Sequence, residues 1–479
     1  MINLVILFPI IAGLLMFLFK RKSFDKLILN LYSLIHIIIT SFLCFVPDCE
    51  KYNNNFFAVD GLNKIFLLVL SFIFLMVCIY NNGYMKNFKE DNSRIRQYIF
   101  MVLIFVMSMT GTILSTDLSI SWVFIEATTL SSAYLIYFNK TKNAIEAAWK
   151  YVFICSICIA LAFVGIILLN IATESINSFN YQVLYDNAIN FNPLWLKLSF
   201  VFMLFGFGAK MGLAPVHFWL PDAHSEAPSP ISALLSATLL NSAFLVIVRV
   251  FKIMEIANLD EFARIVLFIM GFVSLFITAV FVYHIKNYKR MLAYSSIENM
   301  GILVIGTALG GGAIYAVLLH LIGHSLAKAS FFLTSGNILE LFDTKRTKST
   351  KGIVNVDRKT AWLWVFSFLA ICAFPTSILF LSEFIMVKNM IMAHHYGLCV
   401  LFLFLLTIIL FGMGRVVLNM SFGQISDEKE KLVKVNQNKH KITIGMYVPQ
   451  IILLILVFTF GLYIPQALNE LIKLATLGF

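Results

Sequence analysis

Long apolar stretches separated by short polar connections run along almost the whole chain. A helix needs about 20 mostly apolar residues to cross a hydrocarbon layer of about 30 Å. The pattern therefore predicts an all-α, polytopic membrane protein with about fourteen transmembrane helices. We interpret the first stretch as a retained helix, because no charged segment precedes it. The stretches, numbered here as spans 1 to 14, are 2–19, 27–46, 61–81, 98–115, 118–138, 147–170, 194–220, 228–251, 262–285, 290–308, 311–337, 361–393, 396–418 and 442–466.

The composition supports the same fold class. Of the 479 residues, 60% are hydrophobic and only 13% are charged, against about 25% charged in an ordinary soluble domain. This composition excludes a soluble enzyme, a secreted domain and a nucleic-acid-binding protein. We attribute the net charge of +11 to loops at the surface of a lipid bilayer.

The charges of the connections between spans alternate along the chain. Odd-numbered connections carry +2 or +3, whereas even-numbered connections carry between −2 and +1. The seventh connection, with Asp222 and Glu226, departs from this pattern. Because positively charged loops stay in the cytoplasm, the odd connections are predicted to be cytoplasmic. Both termini are then expected on the outer, periplasmic side of the cell inner (plasma) membrane.

Two spans contain an internal proline, Pro215 in span 7 and Pro375 in span 12. Proline removes a backbone donor and clashes with the preceding turn, so each span should be broken. The breaks are five spans apart, which predicts two five-helix repeats (spans 4–8 and 9–13) in inverted topology. Broken helices at matching positions of two halves indicate a transport site. The expected division is residues 1–97 for spans 1–3, 98–251 for the first repeat, 262–418 for the second, and 442–479 for the C-terminal helix.

Ionisable residues within the spans are the first candidates for function, because one charge at the bilayer centre costs at least about 2.5–3.5 kcal/mol. Span 5 contains Glu126, and span 7 contains Lys210 five residues before Pro215. Moving Glu126 towards or away from Lys210 would change the proton affinity of the amine. We therefore predict a proton-binding pair; the alternative is a static ion pair that orients the helices.

His320, His324 and Lys328 recur every four residues in span 11 and should form one stripe along the helix. Imidazole titrates near neutral pH, so the stripe suits a hydrated proton relay. Buried structural hydrogen bonds are one alternative. A haem or metal site is another, although two histidines on one helix face cannot sandwich a haem.

Four further ionisable residues have open interpretations. Glu383 follows Pro375 by eight residues and is either the terminal acid of the relay or a helix-packing group. Glu298 in span 10 is equally compatible with function and with structure. Glu146 and Lys150, spaced i,i+4 at the start of span 6, are interpreted mainly as an interfacial pair.

Three sequence motifs resemble one known family. The run FGFGAKMGLAPVHFWLPDAHSEAPSPISALLSATLLNSAFLVIVRV (205–250) is similar to the signature of antiporter-like membrane subunits. These subunits occur in respiratory complex I, in Mrp-type cation/proton antiporters and in group 4 [NiFe] hydrogenases. KRMLAYSSIENMG (289–301) and HLIGHSLAKASFFLTSGNI (320–338) resemble the next motifs of the family. The resemblance implies a fourteen-helix, inverted-repeat fold.

The resemblance also implies roles for individual residues. Those matching the family's proton-transfer positions are Glu126, Lys210, His320, His324, Lys328 and Glu383. Two positions depart from the pattern: Asn241 stands where complex I and Mrp members usually have a lysine, and Asn299 where many relatives have a histidine. Asn241, together with Ser-Glu-Phe at 382–384, resembles the hydrogenase-4 component F subgroup.

The resemblance implies a proton-translocating, or Na⁺/H⁺-translocating, subunit of a membrane-bound hydrogenase-type complex. The expected partners are other membrane subunits and a peripheral redox module. No redox cofactor is expected in this chain, whereas [NiFe] and Fe–S clusters are expected in partner subunits. The alternatives are a proton-pumping subunit of NADH–quinone oxidoreductase and a subunit of an Mrp-type Na⁺/H⁺ antiporter.

Overall fold

The protein is described by a computed structural model, which covers residues 1–46, 49–88, 91–174, 176, 178–424 and 442–479. These residues are almost entirely helical. In chain order the helices are α1 (Ile2–Phe19), α2 (Lys22–Phe45), α3 (Gly61–Tyr84), α4 (Asn92–Leu114), α5 (Leu118–Tyr137), α6 (Lys142–Ala172), α7 (Tyr181–Asn187), α8 (Pro193–Met211), α9 (Trp219–Glu226), α10 (Ser229–Ile256), α11 (Asp260–Val282), α12 (Tyr288–Leu309), α13 (Gly312–Phe342), α14 (Ile353–Val356), α15 (Arg358–Ile371), α16 (Ile378–Met392), α17 (Tyr396–Phe422), α18 (Val448–Leu462) and α19 (Gln466–Thr476).

Each of the fourteen predicted spans corresponds to one long helix or, where it is broken, to two shorter helices. Within the described residues, twelve helices are long and apolar enough to cross a membrane. The two remaining spans are the more polar α5 and the broken pair α15–α16. The prediction of an all-α polytopic membrane protein is therefore confirmed. Most of the charge assigned to the thirteenth connection falls at 425–441, outside the described residues.

Both predicted helix breaks are present. α8 ends before Gly212, which has a φ of +86°, and the chain becomes helical again at Trp219. Pro215 lies in this gap, and Pro375 lies in the matching gap between α15 and α16. Backbone groups freed in a membrane must find partners within the protein. At the first break the Trp219 indole donates to the Ala209 carbonyl at 2.8 Å, and the Ala214 amide donates to Ser274 Oγ at 2.9 Å.

Two helices form the centre of the molecule. α10 and α13 are buried along their whole membrane-spanning windows, whereas the outer helices α17 and α18 are about one-third buried. α10 contains a π-helical turn at Leu235–Leu239, which ends two residues before Asn241. Such turns re-aim the side chains of a helix and are often found at functional sites. Polar side chains on α10 and α13 are consequently held away from lipid, between the two broken helices.

Candidate functional site

Lys210 and Glu126 lie in one hydrogen-bonded cluster between α5, α6 and α8. Lys210 Nζ donates to Thr129 Oγ1 at 2.7 Å and to Tyr151 Oη at 2.6 Å. Thr129 Oγ1 in turn donates to Glu126 Oε2 at 3.3 Å, and Ser156 Oγ donates to Glu126 Oε1 at 3.2 Å. The amine and the carboxylate are thus connected through one hydroxyl group rather than by direct contact.

Helix geometry explains how this cluster is assembled. Glu126 and Thr129 are three residues apart, so they share a face of α5. Lys210 lies in the last turn of α8, where the unpaired carbonyls at the helix end favour a positive charge. Lys210 is 1% exposed, and its ammonium form would be costly without these partners. The break after Met211 therefore leaves the lysine at a helix end inside the protein.

Asn241 connects the central helices. Its side-chain amide donates to the Ala237 carbonyl at 2.9 Å and to Ser325 Oγ on α13 at 2.7 Å. The Oδ1 atom of Asn241 makes no hydrogen bond within the described residues. Ser325 directly follows His324, so Asn241 joins the first group of spans to the helix that carries the histidine stripe.

The stripe on α13 is fully buried, and its three members have different surroundings. Lys328 Nζ donates to the Leu292 carbonyl at 2.8 Å, and its charge interacts with that of Glu298 on α12. His324 interacts electrostatically with Lys328 and with the Ser236 carbonyl. Neither ring nitrogen of His324 reaches hydrogen-bond geometry with a described residue. Buried polar groups of this kind usually bind an ordered water.

His320 is held by two helices other than its own. Its Nε2 atom lies 3.1 Å from Asn299 Oδ1 on α12, and its Nδ1 atom lies 2.9 Å from Ser382 Oγ on α16. Glu383 follows Ser382 and is partly buried. Glu383 interacts electrostatically with Glu298, and both carboxylates interact with Cys372 at the second helix break. The sequence-predicted residues of the second half therefore come together around that break.

Glu146 and Lys150 lie apart from this internal row. Their side chains form a 2.6 Å ion pair and are 64% and 47% exposed. Lys150 also contacts Asp222 at 3.2 Å, and Asp222 is paired in addition with Arg290. These residues line a cavity of about 290 Å³ at the side of the odd-numbered connections.

The same surface explains the exception in the loop charges. α9 carries Asp222 and Glu226 to the ends of α6 and α12 and to the connection after α13. There Glu226 pairs with Lys345 at 2.8 Å, as Asp222 pairs with Lys150 and Arg290. The two acidic residues thus neutralise cations on the same side of the molecule.

Comparison with known proteins identifies the family. The model for the transmembrane region of NADH:quinone oxidoreductase and Mrp antiporter proteins matches residues 115–410. The chain belongs to the NADH:quinone oxidoreductase/Mrp antiporter family. It is 32% identical to the hydrogenase-4 component F homolog of Methylacidiphilum infernorum, over 97% of each chain. The resemblance drawn from the sequence motifs is therefore confirmed.

Solved structures agree on the fold of this antiporter-family protein. The chain has a TM-score of 0.86 at 21% identity with a chain of the archaeal membrane-bound sulfane sulfur reductase, over 99% of this chain and 96% of that one. With a chain of the Mrp complex from Dietzia sp. DQ12-45-1b the TM-score is 0.85 at 17% identity, over the same shares. At 21% and 17% sequence identity, these similarities show that the chain has the same fold as those proteins.

Sequence reasoning missed the hydroxyl groups of this antiporter-family site. Thr129, Tyr151 and Ser382 contact Lys210 or His320 directly. Thr129 could have been found, because it lies three residues after Glu126 on a predicted helix. Tyr151 and Ser382 depend on contacts between helices distant in sequence. Within the described residues there is also no group of three or more His, Cys, Asp or Glu side chains that could hold a metal ion.

Proposed function

We propose that this chain translocates protons as the antiporter-like subunit of a membrane-bound hydrogenase-type complex. The observation that carries the proposal is the buried row of ionisable and polar groups that extends from one broken helix to the other. In chain order the row consists of Glu126, Lys210, Asn241, Glu298, His320, His324, Lys328 and Glu383. Membrane proteins keep such costly groups where ions or protons pass.

Hydrogen bonds between protein side chains do not connect the whole row. Within the described residues, no hydrogen bond joins Lys210 to Asn241, and none joins Lys328 to His324. Proton transfer across these gaps requires water. Hydration that differs between two conformations would make the gaps suitable control points.

The Lys210 cluster supplies a means of binding and releasing a proton. With the Glu126 carboxylate held through Thr129, the ammonium form of Lys210 is stabilised by negative charge nearby. When the carboxylate is neutralised or drawn away, the buried amine loses that stabilisation and releases its proton. We propose that the driving change comes from the redox module of the complex and reaches this chain through neighbouring membrane subunits.

Both ends of the row approach the surface of the chain. Glu126 is partly buried and is flanked on α5 by Val123 and Leu130, which are 56% and 64% exposed. Glu383 is likewise followed by the exposed Phe384. A carboxylate facing lipid would be costly. We therefore place neighbouring membrane subunits at these two flanks, where they could alter the charge of Glu126 and Glu383.

The arrangement in the membrane follows from the loop charges. We place the odd-numbered connections in the cytoplasm, both termini on the outer side, and the chain in the plasma membrane. The two inverted repeats are proposed to be residues 98–251 and 262–418, flanked by 1–97 and 442–479. In this orientation the cavity beside Asp222 and Lys150 faces the cytoplasm.

The partner complex is identified by purification in mild detergent, followed by mass spectrometry and by nickel, iron and flavin analysis. We expect nickel, iron from iron–sulfur clusters and a [NiFe] large subunit, because the hydrogenase-4 component F homolog is similar over nearly the full chain. A co-purifying NADH-linked flavoprotein would make the chain a complex I subunit instead. Small membrane proteins without a redox metal would make it an Mrp-type antiporter subunit.

Translocation is tested with the purified complex in sealed vesicles that contain a pH-sensitive dye. Lys210→Ala and Glu126→Gln are expected to abolish acidification while the complex still assembles. Lys388→Ala, at an exposed lysine of α16, is the matched control and should behave as wild type. Normal acidification by both site variants would exclude this row as the pathway. Repeating the assay with and without Na⁺ distinguishes proton pumping from Na⁺/H⁺ exchange.

A further inference from the structure

The hydrogen bonds of His320 restrict how this imidazole can exchange a proton. His320, Asn299 and Ser382 are each no more than 1% exposed and come from α13, α12 and α16. Each ring nitrogen faces a single partner, Asn299 Oδ1 on one side and Ser382 Oγ on the other. The chemistry of the two partners differs, so the two nitrogens are not equivalent.

The Asn299 side decides where one proton resides. The amide nitrogen of Asn299 donates to the Ser295 carbonyl at 2.7 Å. A carbonyl oxygen only accepts, so the amide nitrogen must face Ser295 and Oδ1 must face His320. Oδ1 likewise only accepts, and Nε2 of His320 must therefore carry a hydrogen. An amide oxygen cannot hold and pass on a proton at neutral pH, so this side of the ring is closed to exchange.

The Ser382 side accommodates two states. Ser382 Oγ lies 2.7 Å from the Leu379 carbonyl and 2.9 Å from His320 Nδ1, and a hydroxyl has one hydrogen to donate. When the ring is neutral, the hydroxyl donates to Nδ1. When the ring is protonated, Nδ1–H donates to Oγ and the hydroxyl donates to the Leu379 carbonyl. Rotation of one hydroxyl thus satisfies both protonation states without movement of a helix.

We propose that His320 takes up and releases its proton only through Nδ1 and the Ser382 hydroxyl, with Asn299 closing the Nε2 side. In release, Nδ1–H gives its proton to Ser382 Oγ while the original hydroxyl proton moves through water to the Glu383 carboxylate, because adjacent residues of one helix do not face each other. One N–H bond breaks, one carboxyl O–H bond forms, and the hydroxyl is regenerated. Uptake is the reverse. This inference rests on the proposed proton translocation.

The consequence concerns the direction of transfer. Three ionisable residues four apart on α13 suggest a straight path along the helix, but His320 exchanges sideways towards α16. It therefore connects the histidine stripe to the half-helix that carries Glu383, and Ser382 is the positioning and relay hydroxyl at that junction. A residue at 299 that could itself hold a proton would open a second path at Nε2.

The test is a hydroxyl series at position 382 in the intact complex, assayed for proton uptake into vesicles. Ser382→Ala is expected to lower the rate by about tenfold or more, while Ser382→Thr, which keeps the hydroxyl, retains most of it. Ser382→Cys keeps nearly the volume of serine with a weaker hydrogen-bonding group and should give an intermediate rate. Ser367→Ala removes another buried hydroxyl, bonded to Ser330 on α13, and should leave the rate unchanged.

Two results would overturn the proposal. One is wild-type translocation by Ser382→Ala; the other is equal loss in the alanine and threonine variants of an assembled complex, since size rather than the hydroxyl would then matter. If the alanine variant does not assemble, Ser382→Cys is compared with Ser382→Thr instead. A lower translocation rate in the cysteine variant would support the proposal, and equal loss in both variants would overturn it. Lys210→Ala in the same preparation separates the two hypotheses, because wild-type translocation there would contradict the proposed function whatever Ser382 does.

Discussion

Lys210 and Glu126 are connected through the Thr129 hydroxyl, which accepts from the amine at 2.7 Å and donates to the carboxylate at 3.3 Å. A direct ion pair in the membrane interior would hold the lysine in its charged form. One hydroxyl between the charges weakens their attraction and lets a small displacement of α5 change it. The attraction between Lys210 and Glu126 is therefore weaker than in a direct ion pair, and it can be changed by small movements of the helices.

Thr129→Val is expected to reduce proton translocation while the complex still assembles. Valine has nearly the same shape as threonine, but it removes the group that both Lys210 and Glu126 contact. Losing a hydrogen bond to a charged group costs about 1.5–3 kcal/mol, which corresponds to roughly tenfold or more in rate. The vesicle assay checks this, with Thr129→Ser as the control that keeps the hydroxyl. Equal rates in the valine and serine variants would contradict the connecting role.

Glu146→Gln is expected to leave translocation within about twofold of wild type, because an exposed ion pair is screened by solvent and contributes little. Glu146 is 64% exposed and contacts Lys150 on the same helix. The measurement compares this variant with Glu126→Gln, which makes the same chemical change inside the row. A loss in Glu146→Gln as large as in Glu126→Gln would place Glu146 on the pathway.

Gly206→Val is expected to destabilise the packing of α6 against α8. A Cβ atom on Gly206 would lie 2.5 Å from the Ala162 Cβ and 2.6 Å from the Cys158 carbonyl oxygen. Overpacking of this kind costs about 1–3 kcal/mol, and a lower thermal transition of the purified chain should follow. The control is Gly397→Ala, where nothing lies within 4 Å of the added atom. An unchanged transition in Gly206→Val would mean that α6 and α8 can separate without cost.

Labelling of introduced cysteines with a membrane-impermeant maleimide checks the proposed orientation of the chain in the membrane. His394 and Lys348 are both exposed and lie in the connections after α16 and α13. Loop charges place the first outside and the second in the cytoplasm. His394→Cys should react in intact cells, and Lys348→Cys only after the membrane is opened. The opposite result would reverse the topology.

Much of the candidate site was predictable because its charges are expensive in a membrane. Glu126, Lys210, the α13 stripe and Glu383 stand out in the sequence as ionisable groups within apolar spans, and the structure gathers the last four around the second break. Glu146 and Lys150 also stood out, but they lie on an exposed surface with Asp222. Sequence spacing alone does not separate a buried pair from an interfacial one.

The sequence by itself determined the helices, their breaks at Pro215 and Pro375, and the family, because apolar length, missing backbone donors and motif residues are local properties of the chain. Only the tertiary structure decided how the charged groups are connected. It placed Thr129 between Lys210 and Glu126, joined Asn241 to Ser325, and set Ser382 against His320. The Lys210–Thr129, Asn241–Ser325 and Ser382–His320 contacts form between helices that are far apart in sequence. Hydroxyl and amide groups have many possible partners, and only the packing of the helices fixes which atoms they contact.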